Sequence, residues 1–256
     1  MIACRLSLPT AFVGALALIT AFGLMSVPPE AQARGGVKVT GSGVATTETR
    51  NVTGFHSVVL GVGARVEVLQ GDSESLSITG DDNIVPLVET LVENGTLKIR
   101  WKGNADISAN YQSLAIVVSA KRIDALTVGG SGRIHAARLQ SPSLRATIGG
   151  SGEIALDALD TDAIHFTIGG SGRVTAAGRA DTLEVAVAGS GELSAAKLES
   201  RRASIAVQGS AQADVWAKET LNATIAGSGA VTYRGSPQVH RTVVGSGTVR
   251  QARETS

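Results

Sequence analysis

Leu144-Arg145-Ala146-Thr147-Ile148-Gly149-Gly150-Ser151-Gly152-Glu153-Ile154 decides the fold, because its pattern returns as Ile164-His165-Phe166-Thr167-Ile168-Gly169-Gly170-Ser171-Gly172-Arg173-Val174. Within each copy the apolar residues alternate with polar ones, the period-two signature of a half-buried strand. The glycine-rich step then bends the chain, since glycine adopts φ > 0 without steric cost. Working outward, the serine of the step recurs at Ser131, Ser151, Ser171, Ser190, Ser210, Ser228 and Ser246, a spacing of 18 to 20 residues.

Apolar residues keep column around these serines. Three positions before them stand Val128, Ile148, Ile168, Val187, Val207, Ile225 and Val243. Three positions after them stand Ile134, Ile154, Val174, Leu193, Ala213, Val231 and Val249. A unit of this size cannot bury its apolar side alone, but stacked units can. The expected fold is therefore all-β, a parallel β-helix or solenoid with Gly-Ser-Gly rungs. Crossover chirality makes it right-handed. Two residues past each serine the sequence reads Arg133, Glu153, Arg173, Glu192, Gln212, Ala230 and Thr248. Stacking should place these in one line, with four charges alternating in sign and fixing register. A threonine column, Thr127, Thr147, Thr167, Thr224 and Thr242 with Ala186 and Ala206, should face outward.

Regular rungs span 123–250, and the less regular part, 40–122, reads as a capping half of the same 40–250 domain. Gly41-Ser42-Gly43 and Gly61-Val62-Gly63 look like early rungs, and Asn94-Gly95 signals a hairpin between Val88–Glu93 and Leu97–Trp101. Asn83 to Val92 reads as a short irregular or helical excursion. The tail, 251–256, is polar and expected to fray.

Composition supports a thin core. Aromatics make up 3% of the 256 residues and glycines number 31, so Val, Ile, Leu and Ala must fill the interior. Collagen needs glycine at every third position and is excluded. A net charge of +1 with interleaved signs gives no nucleic-acid surface and no polybasic membrane patch.

The N-terminus, 1–33, reads as a cleavable signal peptide. Arg5 precedes the uncharged stretch Leu6 to Val27, then Pro28-Pro29 and the small-residue site Ala31-Gln32-Ala33. An uncleaved anchor is the other reading of that stretch. The single cysteine, Cys4, precedes it, so the mature chain carries no disulfide. No later segment is long and apolar enough to cross a membrane as a helix. The expected location is the periplasm or cell surface.

The stretch Thr49-Arg50-Asn51-Val52-Thr53-Gly54-Phe55, then Val66-Glu67-Val68-Leu69-Gln70-Gly71-Asp72, Gly80-Asp81-Asp82-Asn83-Ile84 and Asn94-Gly95-Thr96-Leu97-Lys98-Ile99, resembles the bacterial family called putative auto-transporter adhesin, head GIN domain. The Gly-Ser-Gly rungs are also typical of it. The resemblance implies a secreted or envelope-associated β-helix and carries over no catalytic residue. The chain lacks the C-terminal alternating strands of a membrane barrel that an autotransporter would need.

His56, His135, His165 and His240 lack zinc-ligand spacing. His165 and His240 share an outward column with Arg145, Glu184, Ser204 and Asn222 and read as solvated polar residues. The calcium-roll nonapeptide needs aspartate where Ile134, Ile154 and Val174 stand, and a nucleophile elbow needs glycine where Arg133, Glu153 and Arg173 stand. No cofactor or metal is expected. Asp157, Asp160 and Asp162 cluster at a polar corner, the one motif compatible with a β-helix lyase or hydrolase. Sugar-stacking aromatics are few: Trp101, Tyr111, Trp216, Tyr233 and some phenylalanines. The expected function is a non-enzymatic envelope protein, an adhesin or surface-interaction module meeting an unidentified protein or glycan. A carbohydrate-active enzyme and a periplasmic scaffold or envelope-stress partner are the alternatives.

Overall fold

The computed structural model describes residues 38–103, 108–109 and 114–253. Residues 1–33, on which the signal-peptide expectation falls, Tyr111 and the last three tail residues lie outside the described residues. The described chain is almost entirely strand and forms a β-solenoid of about six turns.

Its regular part begins at β10 (Ala125–Val128) and β11 (Arg133–Ala136). It runs upward through β12 (Leu139–Ile148), β13 (Glu153–Gly170), β14 (Arg173–Gly189), β15 (Glu192–Gly209) and β16 (Gln212–Gly227). It ends in β17 (Ala230–Arg234), β18 (Gln238–Val244) and β19 (Thr248–Gln251). Every neighbouring pair among these is parallel, and Ile148, Ile168, Val187, Val207, Ile225 and Val243 stack in strict register. The first five of these are at most 2% exposed, so the column is core.

Glycine is needed at the corner because the rungs approach too closely for a side chain. A Cβ on Gly150 would lie 2.8 Å from the Gly130 carbonyl oxygen. On Gly170, Gly189, Gly209 and Gly227 the same contact, to the rung below, would be 2.7, 2.6, 2.5 and 2.5 Å. That carbonyl is not free to turn away. The Gly150, Gly170, Gly189 and Gly209 carbonyls accept the N–H groups of Ser171, Ser190, Ser210 and Ser228 at 2.9–3.2 Å. Positive φ is the lesser cause: it holds at Gly170 through Gly245, but Gly150 does without it. The preceding position is roomier, with 3.8–3.9 Å at Gly149 and Gly169, and there the later rungs carry Ala188, Gln208 and Ala226.

The opposite, polar corner is not a turn. β13, β14, β15 and β16 pass through it without losing strand character, and the differing rung lengths are absorbed as register shifts near Leu156/Leu159, Thr175/Ala177 and Ala195/Glu199. Buried hydroxyls hold the bend. Ser141 and Thr161 donate to the Ser143 and Ala163 carbonyls at 2.9 and 3.0 Å, and Ser200 donates to the Trp216 carbonyl at 2.6 Å.

The capping half departs from the sequence reading in one place. Leu60 of β3 (Ser57–Leu60) stacks under Val128, and Val66 of β4 (Arg65–Gln70) stacks under Ile134, so Gly61-Val62-Gly63 does lie in the rung below the regular array. Gly41-Ser42-Gly43 is not a rung. β2 (Ala45–Arg50) runs antiparallel to β5 (Ser75–Asp81), and the Ser42 and Gly43 amides are held by the Asn83 and Asp81 side chains. Its periodic placement at 20 residues is coincidence, since polar side chains rather than a lower rung fix it.

Beneath β3 and β4 lie β7 (Thr96–Trp101) and β9 (Ala115–Ala120), both parallel to them. The outer layer is antiparallel: β5 on β9, and β6 (Val88–Glu93) on β7. Asn94 and Gly95, at φ 51° and 73°, make the two-residue turn between β6 and β7. The Asn83 to Val92 excursion resolves into a single 3-10 turn, Val85–Leu87, and the start of β6. Lys38–Val39 and Ser108–Ala109 form a separate two-stranded pair.

At the other end the interior column Leu126, Ala146, Phe166, Val185, Ile205, Ala223 finishes in the exposed Arg241. Charge in an inward position on an edge strand discourages edge-to-edge pairing. Phe166, the one large aromatic in this column, fits beside Ala146, so a small residue in one rung offsets a large one in the next.

The corner makes a paired prediction. Gly189→Ala meets both a carbonyl and a left-handed backbone (φ 121°) and should cost roughly 1–3 kcal/mol or more. Gly149→Ala should fall within about 0.5 kcal/mol of the parent. Urea denaturation of the two variants checks this; equal costs would contradict it.

Candidate functional site

Three surfaces carry polar side chains in register. On the surface after the glycine corner, Arg133, Glu153, Arg173, Glu192, Gln212, Ala230 and Thr248 are consecutive partners in one line. The charges resolve into ion pairs, Arg133–Glu153 at 2.6 Å and Arg173–Glu192 at 2.8 Å. The repeated serines are exposed at the edge of this surface. Their backbone, not their hydroxyls, does the structural work described above.

On the surface before the corner, Arg145, His165, Glu184, Ser204, Asn222 and His240 form one outward column. The histidines do not converge. His165 faces Glu184 at 2.7 Å, His135 faces Asp157 at 2.8 Å and His56 faces Asp124 at 3.3 Å. His240 sits on the last rung. Among the described residues no group of His, Asp or Glu is placed to hold a metal. The outward column beside it carries Thr127, Thr147, Thr167, Ala186, Ala206, Thr224 and Thr242 in register.

At the polar corner Asp157 parts from the other two, while Asp160 and Asp162 line one open hollow of about 510 Å³ with Arg179, Asp181 and Arg201. Asp157 belongs to His135. Asp160 receives two hydrogen bonds from the Arg179 guanidinium, at 2.7 and 2.9 Å. Asp162 lies one rung below the stretch holding Asp181. Further up, Lys218 pairs with Glu199 at 2.5 Å and Arg201 with Glu219 at 3.0 Å. The Arg179 hydrogen bonds hold the Asp160 carboxyl below its ordinary range. A general acid needs the opposite shift. Nor do the aromatics line a common groove: Trp101 packs at the capping end, while Trp216 and Tyr233 lie on rungs near the other end.

Sequence reasoning missed one place. A hollow of about 310 Å³ opens where the capping half meets the first regular rung, lined by Gly63, Arg65, Ser131, Arg133, Ser151 and Glu153 among others. Arg65 is the direct register partner of Arg133. The signal was available: counting from the apolar columns at Leu60 and Val66, rather than from the glycines, puts Arg65 at the ladder position.

Comparison with known proteins follows the fold. The family model described as putative auto-transporter adhesin, head GIN domain, matches residues 54–237. Among solved structures, a protein from Parabacteroides distasonis ATCC 8503 described as a putative lipid binding protein is 25% identical with a TM-score of 0.73. The match covers 84% of this chain and 100% of that one. A putative adhesin from Bacteroides fragilis NCTC 9343 is 22% identical with a TM-score of 0.76, over 84% of this chain and 100% of its own. A putative adhesin from Parabacteroides merdae ATCC 43184 is 22% identical with a TM-score of 0.68, over 84% and 99%. No curated protein matches.

The Asp160 shift has a sign that can be tested. A carboxyl whose folded pKa is depressed stabilises the fold above its ordinary range, and loses that contribution as the pH falls through the folded value. Arg179→Gln should raise the Asp160 pKa back toward the ordinary carboxylate range in a carboxyl NMR titration. The melting-temperature difference between parent and variant should be present at neutral pH and vanish in strong acid. A difference that grows in acid would contradict the pairing.

Proposed function

The chain belongs to the putative auto-transporter adhesin, head GIN domain family, and from that premise we propose that it is a non-enzymatic, exported protein of the cell envelope that works as a surface-interaction module. The observation that carries this reading is the pairing of the candidate acids with basic side chains. Asp157 and Asp160 are each held by a basic partner, the hollow holding Asp160 and Asp162 is lined by Arg179, Arg201 and Lys218, and the outward positions run as long registered columns. Flat, repetitive surfaces suit multivalent contact with a protein or a glycan. The leader-like segment, 1–33, supports export to the periplasm or cell surface. Among the described residues no helix is long and apolar enough to cross a membrane.

A carbohydrate-active enzyme is the reading this one displaces, and the same experiments separate the two. Deleting the gene should lower surface attachment or resistance to envelope stress, and the protein should fractionate outside the cytoplasm in a form lacking the leader. Normal attachment and stress resistance in the deletion strain would contradict the proposal. So would glycan turnover by the purified protein that disappears in Asp157→Asn, Asp160→Asn or Asp162→Asn.

A further inference from the structure

We propose that the hollow between Arg65 and Arg133 is a binding site for a phosphomonoester group. From Arg133 to Glu192 every step pairs opposite signs. The step below breaks the rule: Arg65 and Arg133 are register partners, with backbones roughly 4.8 Å apart. Like charges directly opposite one another are destabilising. A fold whose rungs are otherwise consistent tends to break its own rule at functional positions.

The two arginines are not equivalent. Arg133 already pairs with Glu153 at 2.6 Å, although its five N–H donors are not exhausted by one carboxylate. Arg65 makes no side-chain hydrogen bond or ion pair among the described residues, and its partner on the far side is Ala115. The hollow therefore holds two guanidiniums against one carboxylate, with Ser131 and Ser151 on its wall. Its excess is positive.

A phosphomonoester fits this arrangement better than a carboxylate. It carries about −1.5 to −2 charge at neutral pH and offers three terminal oxygens. That is enough to take a bidentate contact from Arg65 and still accept from Arg133. Its source is an arm of the test: free phosphate, a phosphorylated sugar or a phosphorylated lipid headgroup presents the same group. The site stands independently of the surface-interaction reading, because binding can be measured on the isolated protein whether or not it mediates attachment.

The test uses the purified chain, with inorganic phosphate, a hexose 1-phosphate and vesicles containing phosphatidic acid as separate probes. Calorimetric titration should give saturable binding to at least one, and the tightest arm identifies the source. Arg65→Gln should weaken it at least tenfold, and Arg173→Gln, a ladder arginine flanked by two glutamates, should leave it unchanged. Arg65→Glu should abolish binding yet raise the melting temperature at low salt, because it completes the alternation. That rise distinguishes a lost site from a misfolded chain. Absence of saturable binding in all three arms, native affinity in Arg65→Gln, acetate binding tighter than phosphate, or a lowered melting temperature in Arg65→Glu would overturn the proposal.

Discussion

Each rung of this solenoid rests on a carbonyl group that must point straight at the rung above. At the corner, the oxygens of Gly150, Gly170, Gly189 and Gly209 receive the Ser171, Ser190, Ser210 and Ser228 amides, and so occupy the volume where a Cβ would stand. One net hydrogen bond contributes only about 0.5–1.5 kcal/mol. Its larger effect is geometric. With the corner pinned, the strands on either side have no freedom to slip, and a slip of one residue would turn every core side chain outward. The apolar columns, the charge ladder and the threonine column all inherit their alignment from that contact.

A scaffold fixed this way separates stability from surface. The interior is a narrow stack of Val, Ile, Leu and Ala, with Phe55 in the capping half and Phe166 accommodated among the regular rungs by an alanine beside it. The outward positions answer only to their neighbours in the column, where exposed ion pairs contribute ~0.2–1 kcal/mol each. They can therefore change without disturbing the fold. The ends are managed differently. Antiparallel strands close the capping end, and at the other end Arg241 stands where the lower rungs place an apolar residue.

Legibility in the sequence followed the range of the interactions. The rungs from Val128 onward could be read because each one interacts with its neighbour about 20 residues away, and the same constraint repeats. The Asn94-Gly95 hairpin could be read because its geometry is local. Gly41-Ser42-Gly43 misled because spacing alone does not tell a corner held by a lower rung from a loop held by Asp81 and Asn83. The continuous strands through the polar corner were hidden because buried hydroxyls on Ser141, Thr161 and Ser200 turn the chain there, and glycine recurs only at single positions such as Gly178 rather than in every rung. The Arg65–Arg133 pairing was hidden because the capping strands intervene between the two in sequence. The spacing of the three aspartates reads as one cluster, whereas the pleat and the bend send Asp157 to His135 and leave Asp160 and Asp162 in the hollow with Arg179.

The fold requires one rung per serine, stacked in line. Nitroxide labels on cysteines replacing pairs of the exposed serines, with Cys4 replaced by serine, measure this directly by pulsed electron resonance. The distance from position 131 should lengthen steadily with each rung, by ~4.8 Å, reaching roughly 29 Å at position 246, allowing for the label arms. Distances that fail to increase with rung number, or that scatter between rungs, would contradict the stacked register.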